Sequence, residues 1–179
     1  MQLRDEGILY RRVVWRPDEA QWWACRGEVC WPERGAAKLR TLKPHELPRK
    51  DRNGVEVPPP AGKYEEGLSC NYAHVPDADV VACAARHDLE KYKVIGFLVG
   101  EVASVQGLSI RHDPQEEGDP GWLNDSTADQ SHCLIVPESY ELLIKAPTRK
   151  KLIDLAWEVD PKTGQLVRRY AEIKRASRP

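Results

Sequence analysis

The feature that most constrains this chain is the stretch from Lys93 to Pro137. It opens on a continuous apolar run, Lys93-Val94-Ile95-Gly96-Phe97-Leu98-Val99. It passes through the alternating Leu108-Ser109-Ile110-Arg111-His112 and closes on Ser131-His132-Cys133-Leu134-Ile135-Val136. An apolar run without polar alternation predicts a strand buried on both faces, and alternation predicts a strand with one face buried. Gly100 to Val105 fits a short helical turn stopped at Gly107. Asp113-Pro114 ends the alternating strand, because proline lacks a donor and restricts the residue before it. About twenty residues then follow before the next strand, and loops of that length in a compact domain are functional or disordered. This loop holds no Lys or Arg between Asp113 and Gln130, but carries Asp113, Glu116, Glu117, Asp119, Asp125 and Asp129.

The rest of the chain supplies partners for these strands. Residues 8–16 are β-branched and aromatic and read as a first strand ended by Arg16-Pro17-Asp18, with Ile8, Tyr10, Arg12 and Val14 on one face and Leu9, Arg11, Val13 and Trp15 on the other. A second short strand fits 66–72. Asp77 is placed to cap a helix carrying Val80, Val81, Ala84 and His87. Residues 19–31 fit a helical turn or a hairpin equally well. Prolines 32, 44, 48, 58, 59 and 60 forbid a long helix or a central strand, so 43–62 reads as an extended surface segment, with a hairpin-like turn open at Asn53-Gly54. Tyr140 to Ile144 could extend the sheet. Residues 148–158 have helical spacing and precede the turn Asp160-Pro161-Lys162-Thr163-Gly164, with a hairpin between 157–159 and 166–168 as the alternative. Together these elements predict one α+β domain over residues 1–179, with a mixed or antiparallel sheet, two or three short helices, long irregular Pro-rich loops and a basic tail at 174–179.

Composition narrows the functional classes. The net charge of −1 gives no bulk pull toward nucleic acid or a membrane. No window approaches the roughly 18 apolar residues of a membrane helix. The opening Met-Gln-Leu-Arg-Asp-Glu has mixed charge, not the pattern of a secretion signal. The five Cys form no regular framework and read as reduced thiols, so the expected location is the cytoplasm.

Several constellations could carry chemistry. Cys25 and Cys30 sit at the edge of zinc-ligand spacing, and a second pair would have to come from Cys70, His74, Cys83 or His87, or from His132 and Cys133. The competing reading is five small core hydrophobes and no cofactor. Arg111, His112 and Asp113 end one strand and His132 begins another. If the strands are neighbours, His112, Asp113 and His132 form a general-base or metal-assisted hydrolytic site, such as a nuclease; otherwise the histidines bond backbone carbonyls. Lys38, Arg40, Lys43, Arg49, Lys50 and Arg52 follow Trp22, Trp23 and Trp31. Cations beside aromatics are what single-strand nucleic acid binding uses, though a solvated connector has the same look. Six Trp against one Phe also point to a protein partner, with Trp22, Trp23, Trp31 and Trp122 as contact residues. Trp122, in the acidic loop beside Leu123, is either a plug folded on the core or a docking anchor. No phosphate-binding glycine loop and no nucleophile-elbow motif occurs.

Two resemblances add expectations. Tyr10-Arg11-Arg12 on a first strand, Gly67-Leu68-Ser69 on a second and Glu101 further on resemble, in their order alone, the layout of ADP-ribosyl-transferring folds. Without that role Ser69 is a strand-end hydroxyl bonded to backbone. From Gly67 to Ile153, the series Gly67-Leu68-Ser69, Phe97-Leu98-Val99-Gly100-Glu101-Val102, Gly107-Leu108-Ser109-Ile110, His112-Asp113-Pro114 and His132 resembles a group of small, largely uncharacterised bacterial proteins. That resemblance implies a compact bacterial α+β domain and an accessory or regulatory role, in a toxin–antitoxin or defence setting. The leading expectation is therefore a protein-binding accessory protein, with a His/Asp hydrolase as the alternative. If the six cations from Lys38 to Arg52 contact phosphates, filter binding of a single-stranded oligonucleotide weakens by about two to three orders of magnitude between about 50 and 200 mM salt. A flat salt response removes that role.

Overall fold

The structure, a computed structural model, describes residues 2–14, 49–50, 56–57, 68–90, 92–119, 122–138, 146–169 and 172. The first strand, β1 (Ile8–Val14), is the centre of an antiparallel sheet. In chain order the others are β2 (Arg49–Lys50), β3 (Glu56–Val57), β4 (Leu68–Ala73), β5 (Tyr92–Leu98), β6 (Leu108–His112), β7 (His132–Pro137), β8 (Trp157–Val159) and β9 (Leu166–Arg169). Seven of them run β6-β7-β4-β1-β5-β8-β9, while β2 and β3 pair with each other. Four helices complete the described residues: α1 (Ala78–Ala84), α2 (Val99–Ala103), α3 (Ser126–Ser131) and α4 (Ala146–Leu155). The chain is an α+β domain.

β1 explains the arrangement. It pairs along its whole length with β5, from Ile8 opposite Leu98 to Val14 opposite Tyr92, and on its other side with β4. Its side chains alternate between two separate cores. Leu9 joins Ile95, Phe97, Cys70, Cys133, Ile135, Val102 and Leu152 on the face covered by α2 and α4. Ile8 and Tyr10 join Val80, Val81, Ala84 and Val94 on the face covered by α1. Both faces are covered, so the β5 run Val94–Phe97 shows no polar alternation although its neighbours are antiparallel. Each of these fully buried side chains contributes about 1.5–3 kcal/mol.

The strands expected over 8–16, 66–72, 93–99, 108–112 and 131–136 form, with bounds 8–14, 68–73, 92–98, 108–112 and 132–137 among the described residues, as does the Asp77-capped helix, whose carboxylate accepts from the Asp79 and Val80 amides. Two details differ. The helix expected to run to about Glu158 ends at Leu155, because Trp157–Val159 is taken as a strand by the exposed edge of β5, and the hairpin to β9 forms. The acidic loop also contains a helix, α3, that periodicity did not reveal, since only Ala128 among its residues is apolar and buried. β2 and β3 flank Asn53-Gly54 as the hairpin reading requires. Tyr140 to Ile144, residues 19–31 and the rest of the Pro-rich segment lie outside the described residues.

One polar contact ties the layers. The Tyr10 hydroxyl, at the buried centre of the sheet, donates to the Gly164 carbonyl at 2.6 Å and accepts from the Asp77 amide at 3.4 Å. Burial is the main cause that pushes its pKa up to about 12, so it stays a donor at any working pH. Gly164 closes the β8–β9 turn at φ +73°, and a Cβ there would lie 2.4 Å from the Asp77 nitrogen. Gly164→Ala combines left-handed strain with overpacking and lowers unfolding free energy by roughly 2–4 kcal/mol, read from denaturant melts. Loss below about 1 kcal/mol would mean that the turn moves off α1 without cost.

Candidate functional site

Strand alternation assembles the site. In β4, Leu68, Cys70 and Tyr72 enter the core beneath α2, so Ser69 and Asn71 face the other way. In β7, Cys133 and Ile135 do the same, which turns His132 and Leu134 to the face of Ser69. The register sets Asn71 opposite His132 and Ser69 opposite Leu134, so Ser69 and His132 are diagonal neighbours, within reach of a long side chain. Ser69 Oγ lies 2.8 Å from His132 Nε2. β6 runs beside β7, and one residue past its end the Asp113 amide still donates to the His132 carbonyl at 3.0 Å. That ladder bond brings Asp113 to the far side of the imidazole: Nδ1 lies 2.8 Å from the Asp113 carbonyl oxygen and 3.3 Å from its Oδ2.

Two Asp113 oxygens lie against Nδ1, and with the ring proton on that nitrogen Nε2 is left to accept from the Ser69 hydroxyl. Gln115 Nε2 donates to the same Asp113 carbonyl at 2.9 Å and to Oδ2 at 3.1 Å, fixing the aspartate. Its 3.0 Å approach to Nδ1 is then a close contact between donors. His132 is 9% exposed, the Asp113 side chain is 32% exposed and Ser69 is half-buried, so the buried imidazole is flanked on both sides by partly accessible groups. On the same face of edge strand β6, Ser109 and Arg111 are exposed, and Arg111 Nη2 stands 3.8 Å from Asp113 Oδ1. A hydroxyl bonded to an imidazole whose other nitrogen faces the carbonyl and carboxylate of one aspartate is the arrangement in which a nucleophile, a base and an orienting group can act together.

The acidic loop is folded by its own carboxylates. Asp125 caps α3, with Oδ1 accepting from Thr127 and Ala128 amides at 3.0 and 3.1 Å. Buried Asp129 accepts from Leu123 and Asp125 amides at 3.0 and 2.9 Å. Asn71, beside Ser69 on β4, donates to the Ala128 carbonyl and to Ser131 Oγ, both at 2.9 Å. Asp125 Oδ2 also meets His87 Nε2 at 2.7 Å and Cys83 Sγ at 3.7 Å; these three are the described side chains able to hold a metal ion together.

Of the expected site residues, Asp113 and His132 come together and His112 does not. By alternation His112 shares the face of Leu108 and Ile110, and its Nε2 bonds the Gln130 carbonyl at 2.7 Å. Ser69 is the member that sequence reading left out of the hydrolytic group. Its phase on β4 was legible, but its pairing with a strand 63 residues away was not. Cys133 is no nucleophile for His132: it faces the opposite core, and burial pushes its thiol up to about 12. Cys70 is buried opposite Cys133 while His74 is exposed against Arg4, so they do not join as ligands. Glu101 accepts from Arg169 on the α2 side, and Arg11 donates to the Ser69 carbonyl, not its hydroxyl. Trp122 and Leu123 are 36% and 42% exposed, so they do not form a plug buried in the core. Arg49 and Lys50 lie in β2, whereas Cys25, Cys30, Trp22, Trp23, Trp31, Lys38, Arg40, Lys43 and Arg52 lie outside the described residues.

Comparison with family models, with curated proteins and with solved structures found no match. Among the described residues no helix is long and apolar enough to cross a membrane.

The Asp125 carboxyl is held below its usual 3.8, first by the His87 hydrogen bond and then by the Ala128 amide. A depressed carboxyl stabilises the fold fully above its unfolded value and loses that contribution as pH falls through the folded one. Asp125→Asn, which retains the cap, therefore flattens the fall of the thermal midpoint below about pH 4, relative to the parent chain.

Proposed function

We propose that the chain is a serine hydrolase acting on an ester or related acyl substrate, with Ser69 as nucleophile, His132 as general base and Asp113 as the group that orients it. The observation that supports this reading is the continuous relay, Ser69 Oγ to His132 Nε2 at 2.8 Å and His132 Nδ1 to Asp113 Oδ2 at 3.3 Å. In the reaction Ser69 Oγ adds to the acyl carbonyl while its proton passes to Nε2. The imidazolium returns that proton to the leaving alcohol as the ester bond breaks. Water, deprotonated by the same nitrogen, then releases the acid and restores the hydroxyl. Asp113 orients the ring and stabilises the imidazolium. Arg111, beside Asp113 at the solvent end, fits a substrate that carries negative charge away from the reacting carbonyl.

A second reading, binding of a partner protein, is favoured by the adjacent exposed Trp122 and Leu123 on the ordered acidic loop. A large aromatic beside an aliphatic side chain is the composition of an interface anchor.

A fluorophosphonate probe reads the first proposal directly, because it labels only serines made nucleophilic by their surroundings. Stoichiometric labelling of the parent chain is expected, with none in Ser69→Ala and a rate lowered by about 10²–10⁴ in Asp113→Asn. Matching thermal melts show that the variants fold. No labelling of the parent, or labelling that survives Ser69→Ala, would falsify the assignment.

A further inference from the structure

We infer that Cys83, His87 and Asp125 form a binding site for one zinc-class transition-metal ion, independent of the Ser69 relay. Three donors of different type converge from two elements: a thiol and an imidazole four residues apart at the end of α1, and a carboxylate at the start of α3. Their ligand atoms all lie within 4.8 Å of one another. Bonds of about 2.3 Å to sulfur and about 2.0–2.2 Å to nitrogen and oxygen, at tetrahedral angles, separate ligand atoms by about 3.3–3.7 Å. Cys83 Sγ and Asp125 Oδ2 already stand at 3.7 Å. His87 Nε2 and Oδ2, hydrogen-bonded at 2.7 Å, must open by about half an ångström. The imidazole has the room to do so, since its side chain is 62% exposed.

The local fold reserves these atoms. Asp125 uses Oδ1 to cap α3 and leaves Oδ2 toward the cluster. His87 reaches it because Arg86 and His87 both take left-handed backbone, φ 54° and 55°, after α1, with the His87 amide bonded to the Ala82 carbonyl. Neither is glycine, so the turn costs backbone energy. Sulfur and imidazole ligands select zinc-class ions over magnesium or calcium. Buried Cys83 supplies the thiolate from the interior, its proton leaving to solvent on binding, and water completes the fourth position on the open His87 side. Burial and the Asp125 charge keep the metal-free thiol protonated, with its pKa pushed up to about 11.

Cobalt(II) is the probe, titrated into a chain carrying Cys25→Ser and Cys30→Ser so that those thiols cannot contribute. One equivalent is expected to bind, with a sulfur-to-cobalt charge-transfer band in the near ultraviolet that Zn²⁺ abolishes by displacement. The band disappears in Cys83→Ser, and affinity falls about tenfold or more in His87→Gln and in Asp125→Asn. His87 is exposed, so its replacement leaves the fold intact. The inference is overturned if no stoichiometric band forms, if the band survives Cys83→Ser, or if affinity is unchanged in His87→Gln.

Discussion

Everything in this fold follows from the burial of β1 on both faces. A strand at the centre of a seven-stranded antiparallel sheet has its backbone satisfied on both sides, and here both of its side-chain sets enter a core. Polar atoms are admitted only where a partner is fixed. The Tyr10 hydroxyl meets this condition by joining the α1 start to the β8–β9 turn. Arg11 meets it in part, with its guanidinium on the Ser69 carbonyl and its Nε without a hydrogen-bond partner among the described residues. The polar Ser69-His132-Asp113 cluster accordingly lies on the flank and not at the centre. There β6 and β7 carry a more open face, and a strand end can bring an aspartate beside a histidine.

How much of this was legible depended on the range of the interaction. β1, β5 and β7 could be read because burial imposes its pattern residue by residue. The Asp77 cap could be read because it spans three residues. The relay could be read only in halves. Asp113 and His132 were recognised as the ends of one loop, a relation set by sequence neighbours. Ser69 enters through strand order, β7 beside β4 and not beside β5, and no local pattern encodes that choice. His112 illustrates the converse. It stands next to Asp113 in the chain, yet alternation sends it to the opposite face, as the period of two requires. α3 was hidden because its stability comes from the Asp125 cap and from Asp129, not from an apolar stripe.

The relay and the Cys83-His87-Asp125 cluster share that helix. Asp125 is its N-cap and His132 its C-cap, so the two groups stand at opposite ends of six residues, about 9 Å of helix. Asn71 holds the middle by bonding Ala128 and Ser131. Anything that fixes Asp125 against α1 therefore fixes the segment from which His132 departs, without touching Ser69 or Asp113.

The acidic loop takes a different meaning in this light. Six carboxylates and no cation along one loop look like a surface tuned for a basic partner. Four of the six are engaged within the loop or with the sheet. Asp113 accepts from His132 and Gln115, Asp119 from the Glu116 amide, Asp125 from two amides of α3, and Asp129 from Leu123 and Asp125. A carboxylate accepts two such bonds more strongly than a neutral group does, so a segment poor in apolar residues can be ordered by acids in place of a core. The charge is thus largely the means by which the loop folds. Ser69 and His132 sit on paired strands and are placed rigidly, whereas Asp113 lies on this loop. What holds Asp113 within reach of Nδ1 is its ladder bond to His132 together with Gln115, whose own backbone amide is tied to the Asp129 carbonyl.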